Sequence, residues 1–196
     1  MTHQAKQSLR QEIKKLRRNL STSQQHDASI AVWLRILEQD FFQEAQHIAL
    51  YMPIQGELDT KPILQTSARL GKNIYLPIVK PEASTLDFYH YTFKMKMAMN
   101  QYGILEPPEQ ASEYIEAQKL DLVFVPLVAF DAHCHRLGMG KGYYDRTFAF
   151  RRHQSKPLLV GLGYAFQEVP LVPSNETDIA LDKVVTHQGI FENPKA

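Results

Sequence analysis

Arg136-Leu137-Gly138-Met139-Gly140-Lys141-Gly142-Tyr143-Tyr144-Asp145-Arg146 concentrates the residue types suited to gripping a polyanion: three alternate glycines, cations beside them, then two tyrosines and a carboxylate. Glycines let the main chain approach a ligand closely and take positive φ. Arg136 and Lys141 bring charge to the same turn, and charge-assisted bonds to phosphate are strong. An apolar run at 122–128 precedes the segment and residues 143–152 read as helix. The glycines are therefore expected where a strand hands over to a helix N-terminus, with unpaired N–H groups and the positive end of the helix dipole favouring an anion. The spacing matches neither the P-loop nor the dinucleotide fingerprint. A merely structural tight turn needs fewer glycines and no paired cations.

Around this turn, one of Tyr143 and Tyr144 is expected to anchor the helix in the core and the other to stack on a planar ring. Asp145 reads equally as a first-turn residue favoured by the dipole or as a Mg²⁺ ligand beside phosphates. Lys6 and Arg10 share a helical face with Lys14 a turn further on, which reads as a solvated basic face or as a basic helix lying along nucleic-acid phosphates, the latter without compensating basic surface elsewhere in the chain. Residues 55–60 follow a strand, at the end where open α/β sheets place ligands. There Asp59 and Thr60 suit helix caps, whereas Glu57 has no such duty and can accept a ligand's N–H groups. Asp178 and Asp182 each qualify as a second metal carboxylate or as a strand cap, and spacing does not choose between them. His133-Cys134-His135 lacks a second ligand pair at zinc spacing and reads as loop.

The elements that must position these groups follow from periodicity. Residues 4–20 lack Pro and Gly and carry Leu9, Ile13, Leu16 and Leu20 as one apolar stripe; Ser21 to Gln24 resembles a capping box opening a second helix. A strand over 47–52, a helix ending at Gly71 and a strand over 73–79 form a right-handed β-α-β unit. Residues 86–92 suit an edge or antiparallel strand; 102–108 form a proline-stiffened loop and 112–118 a short helix. Residues 120–128 are apolar throughout, as a central parallel strand should be, with further strands over 157–162 and 183–186. A single domain over 1–196 is expected, with a three-layer αβα sandwich, a mostly parallel sheet and an N-terminal helical pair. A net charge of +1 gives no reason to expect nucleic acid or a membrane surface. No apolar run approaches a spanning length, and the single cysteine suits a reducing cytoplasm.

The segment from Arg136 to Asp145 resembles the R-L-G-x-G-x-G-[YF]-Y-D hallmark of the 5-formyltetrahydrofolate cyclo-ligases, also called methenyltetrahydrofolate synthetases. Lys6 and Arg10 match that family's K-x-x-x-R pair, Gly56 to Thr60 its G-E-x-[DE]-T segment, and Asp178 to Asp182 its D-x-x-x-D stretch, in the same order along the chain. The resemblance implies a fold related to the sugar-phosphate isomerase and CoA-transferase group, a monomer, and ATP- and Mg²⁺-dependent cyclisation of 5-formyltetrahydrofolate to 5,10-methenyltetrahydrofolate. It further implies that Lys6, Arg10, and the turn Arg136, Leu137, Gly138, Met139, Gly140, Lys141, Gly142, Tyr143 and Tyr144 bind ATP, with Met139 contributing only backbone. Asp145 and Asp178 would bind Mg²⁺. Met52, Glu57, Tyr102 and Tyr143 would contact the folate, Tyr102 standing where many relatives have tryptophan. Arg136, Lys141 and Tyr143 would assist the reaction.

Overall fold

The computed structural model describes residues 3–194. In chain order the elements are α1 (His3–Arg18), α2 (Thr22–Leu37), α3 (Asp40–Glu44), β1 (His47–Ala49), α4 (Lys61–Arg69), β2 (Asn73–Lys80), β3 (Thr85–His90), β4 (Ala98–Met99), β5 (Leu105–Glu106), β6 (Tyr114–Ile115), β7 (Leu122–Pro126), β8 (Ala129–Phe130), β9 (Arg136–Leu137), α5 (Tyr143–Thr147), β10 (Leu158–Leu162), β11 (Lys183–Val185) and β12 (Ile190–Glu192). The main sheet has the order β12-β11-β10-β7-β1-β2-β3-β6. From β11 through β2 all neighbours are parallel, and antiparallel strands finish both edges. The α/β class and the mostly parallel sheet are as expected.

Alternation along the strands builds two apolar layers. In β7, Leu122 and Phe124 join the cluster containing residues of α2 and α4, while Val123 and Val125 face the opposite cluster with Phe148. A strand buried on both faces must be apolar at every position, which is why its sequence is continuous rather than alternating. The expected capping box holds α2: Ser21 Oγ accepts from the Gln24 N–H and Gln24 Oε1 accepts from the Ser21 N–H. Leu9 and Ile13 of α1 pack against Val128, Leu137 and Val172, so α1 leans on the β8–β9 hairpin.

Several expectations give way to longer-range packing. The stripe on α1 swerves: Leu16 is 41% exposed and Arg17 is fully buried. Residues 112–118 are not a helix, because β3 takes Tyr114 and Ile115 as an antiparallel edge partner and only Ala117–Lys119 turns, as 3₁₀. The glycine turn does not follow the apolar strand directly; the β8–β9 hairpin intervenes. The helix after it breaks at Phe148, whose side chain is 1% exposed in the core, leaving α5 and a 3₁₀ turn over Ala149–Arg152. Thr60 is the N-cap of α4 without a side-chain cap bond; its Oγ1 donates to Tyr51 O, and Asp59 Oδ1 accepts from the Lys61 N–H.

Candidate functional site

A cavity of about 480 Å³ opens beside the C-terminal ends of β1 and β7, and every residue to which the family resemblance assigns a ligand lines it: Lys6, Arg10, Met52, Glu57, Tyr102, 136–145 and Asp178. This is the crevice in which open parallel sheets bind ligands.

Met52 and Glu57 arrive on the loop leaving β1. Ile54-Gln55-Gly56-Glu57 is a tight turn with φ of 50° at Gln55 and 74° at Gly56, closed by the Glu57 N–H donating to Ile54 O at 3.0 Å. Positive φ at both central positions is the type I′ pattern. Glu57 does have a structural duty, contrary to expectation: its Oε2 accepts from the Ile54 N–H at 3.1 Å. Its Oε1 faces Arg17 Nη1 at 3.9 Å, and the side chain is only 7% exposed. Burial pushes the carboxyl up to about 7, against the smaller opposing pulls of the Ile54 N–H, Arg17 and Lys14.

The glycine turn is braced from two sides. Arg10 Nε donates to Gly138 O at 2.8 Å, and a Cβ on Gly140 would sit 3.2 Å from Arg10 Nη2. Arg146 Nη2 donates to Lys141 O at 2.5 Å and its Nε to Ser84 O at 2.6 Å, while its guanidinium lies over the Tyr143 ring. Gly140 and Gly142 have φ of 96° and 68°, so two of the three glycines use the conformation that other residues avoid. No backbone N–H from 138 to 142 donates a hydrogen bond among the described residues. Unpaired donors beside Lys6, Arg10, Lys141 and Arg136 suit an anion with several oxygens.

Asp145 and Asp178 both line the cavity. Asp145 Oδ1 accepts from Arg136 Nη2 at 2.7 Å and from the Ile179 N–H at 3.1 Å. Asp178 Oδ2 accepts from the Asn175 N–H at 2.9 Å and lies 3.5 Å from Lys6 Nζ. Asp182 lies outside the cavity lining and is bound to Arg151 Nη2 and the Leu159 N–H. No group of three or more His, Cys, Asp or Glu residues is arranged to hold a metal among the described residues. Mg²⁺ needs less, since it retains waters and takes one or two carboxylates together with substrate phosphates. Each of the two cavity aspartates keeps one carboxylate oxygen without a hydrogen bond among the described residues, so the donor set fits Mg²⁺ held jointly with a polyphosphate. His133 and His135 instead belong to a knot around buried Asp131, which accepts from both their backbone N–H groups and pairs with His135 Nδ1.

Tyr102 reaches the cavity from the small β4–β5 hairpin, where Asn100 Oδ1 accepts from the Tyr102 and Ile104 N–H groups. Its hydroxyl meets that of Tyr143 at 2.9 Å, with the rings edge to face. Tyr144 takes the inward role foreseen for one of the pair, and burial pushes its hydroxyl well above the ordinary range. Lys14, Tyr51, Ile104 and Leu127 also line the cavity and were not anticipated as ligand residues. For Lys14 the signal was present, four residues beyond Arg10; the apolar wall members look in sequence like any core residue.

The model of the 5-formyltetrahydrofolate cyclo-ligase family matches residues 2–187. A 5-formyltetrahydrofolate cyclo-ligase from Haemophilus influenzae is 40% identical, covering 92% of this chain and 97% of its own. One from Escherichia coli K12 is 35% identical, covering 92% and 99%. The solved 5,10-methenyltetrahydrofolate synthetase of Aquifex aeolicus superposes with a TM-score of 0.83 at 32% identity, covering 97% of this chain and 94% of that one.

Proposed function

The chain belongs to the 5-formyltetrahydrofolate cyclo-ligase family, and from that premise we propose that the cavity beside the glycine turn joins ATP to folate in an ATP- and Mg²⁺-dependent ring closure. The enzyme converts 5-formyltetrahydrofolate to 5,10-methenyltetrahydrofolate; ADP and phosphate are the proposed co-products. The observation that carries the ATP reading is the glycine turn, whose free N–H groups and flanking cations open on the same cavity as the buried Glu57 carboxylate.

A formamide is a poor electrophile because its oxygen is a poor leaving group. Transfer of the γ-phosphoryl group to the formyl oxygen makes that oxygen leave as phosphate. N10 then attacks the formyl carbon and loses its proton; the C–O bond breaks and the five-membered ring closes. Positioning and charge neutralisation supply the catalysis, as in phosphoryl transfer generally. Lys6, Arg10, Arg136 and Lys141 neutralise the phosphates, with the 138–144 backbone cradling them. Glu57 accepts N–H groups of the pterin, Met52 lines its pocket, and Tyr102 and Tyr143 close over the folate, with Tyr143 between folate and nucleotide. Asp145 and Asp178 would hold Mg²⁺, which when bound neutralises phosphate charge. A single domain over 1–196 acting as a monomer is part of this proposal, and the lone buried Cys134 suits the cytoplasm.

Substrate carrying ¹⁸O in the formyl group tests the phosphorylation step: the label should emerge in the released phosphate. Label found in water would exclude attack of the formyl oxygen on phosphorus.

A further inference from the structure

Arg17 is fully buried, yet its Nε, Nη1 and Nη2 all lack a hydrogen-bond partner among the described residues. An apolar side chain of that length would fill the space without stranding a charge, and a buried charge is costly unless something answers it. What faces it is Glu57 Oε1, 3.9 Å from Nη1. The 54–57 turn rests on this end of α1: a Cβ at Gly56 would lie 3.6 Å from Arg17 O. Glu57 is thereby fixed at both oxygens, Oε2 by the Ile54 N–H and Oε1 by charge alone. The distance matters. A bidentate fork would occupy the lone pairs a ligand needs, whereas attraction at 3.9 Å favours the anion and leaves Oε1 free to accept.

We propose that Arg17 is the positioning residue for Glu57, its buried charge favouring the ionised form of that carboxylate and holding it toward the cavity to receive the N–H donors of the pterin. This rests on the reading of Glu57 as a folate contact, but the charge coupling is measurable without folate. The other groups acting on the same carboxylate or on Arg17 are Lys14 of α1, Tyr51 beyond β1, Tyr144 of α5, and Tyr164 beyond β10 with Asp59 near it. Lys14 lines the open cavity, and the tyrosines stay neutral through the relevant range because burial raises them. Arg17 is therefore the charge that remains shielded from solvent beside Glu57.

The test is a ¹³C-carboxyl NMR titration of the folate-free enzyme, with Glu57 assigned by loss of its signal in Glu57→Gln, paired with the folate KM as a function of pH. Arg17→Met should raise the Glu57 midpoint by a unit or more. A one-unit rise from about 7 leaves roughly a tenth of the carboxyl ionised at pH 7 instead of half, so the folate KM there should rise about fivefold and recover at higher pH. Arg17→Lys should keep the midpoint close to wild type, and Arg17→Gln, a polar replacement should Met not fold, should behave as Met does. A Glu57 midpoint unmoved by Met or Gln, or a KM raised equally at all pH values, overturns the inference while leaving the folate reading intact. If Glu57→Gln leaves the folate KM unchanged, the folate reading itself falls, whatever the titration does.

Discussion

Substrate affinity should depend steeply on pH near neutrality, because the proposed folate contact, Glu57, is a buried carboxyl pushed up to about 7 rather than near 4.5. If only the ionised form accepts the pterin N–H groups, the apparent affinity scales with the ionised fraction. With a midpoint of 7 that fraction is about 0.09 at pH 6 and about 0.9 at pH 8, so KM for 5-formyltetrahydrofolate should fall about tenfold across that interval. Steady-state rates at saturating ATP over pH 5.5 to 8.5 measure it, with Glu57→Gln as the control that should raise KM and flatten its pH dependence. A wild-type KM constant within twofold between pH 6 and 8 would refute the reasoning. The same shift has a stability consequence. The folded state holds the Glu57 proton between about pH 4.5 and 7 while the unfolded chain releases it, so stability from this group is present at low pH and lost as pH rises through 7. Relative to wild type, Glu57→Gln should therefore gain up to about 3 kcal/mol between pH 4.5 and 7.5, read from denaturant midpoints at the two pH values.

Four substitutions separate the other roles. Lys141→Ala should lower turnover by on the order of 10²-fold, as loss of one preorganised donor does, with an unchanged melting temperature because Lys141 is exposed; an undiminished turnover would remove it from phosphoryl stabilisation. Gly142→Ala places a Cβ at φ of 68° and 2.6 Å from Arg146 Nη1, so it should cost about 1–2 kcal/mol locally and raise the ATP KM, seen together in thermal melts and kinetics. Asp178→Asn should raise the Mg²⁺ concentration needed for half-maximal rate with little loss of stability. Asp182→Asn should instead destabilise by about 3–5 kcal/mol through the nearly buried Arg151 it leaves unpaired, with the Mg²⁺ requirement unaltered.

What could be read before folding was what depends on neighbours in sequence. Continuous apolar residues at 122–125 announced a strand covered on both sides, Ser21 with Gln24 announced the start of α2, and the four-residue spacing of Lys6 and Arg10 put both on the cavity side of α1. The chemistry-bearing residues were visible because their types are unusual in combination. Arg17 was not visible: among Lys14, Lys15 and Arg18 it looks like one more solvated cation, and it is buried where the turn at 54–57, distant in the chain, packs on the end of α1. Leu16 was misjudged for the matching reason. The β8–β9 hairpin escaped notice because two-residue strands carry no period, and Tyr114–Ile115 looked helical because β3, which recruits it, is distant in the chain. Asp178 and Asp182 were indistinguishable by spacing; Arg151 and the Leu159 N–H claim Asp182, and the cavity takes Asp178.

The most direct measurement is the cyclisation itself: purified protein, ATP, Mg²⁺ and 5-formyltetrahydrofolate, followed by methenyltetrahydrofolate absorbance together with ADP release. The account predicts one ADP for each ring closed and no product when ATP is withheld. Absence of product with enzyme at stoichiometric concentration, or product formed without ATP, would contradict it.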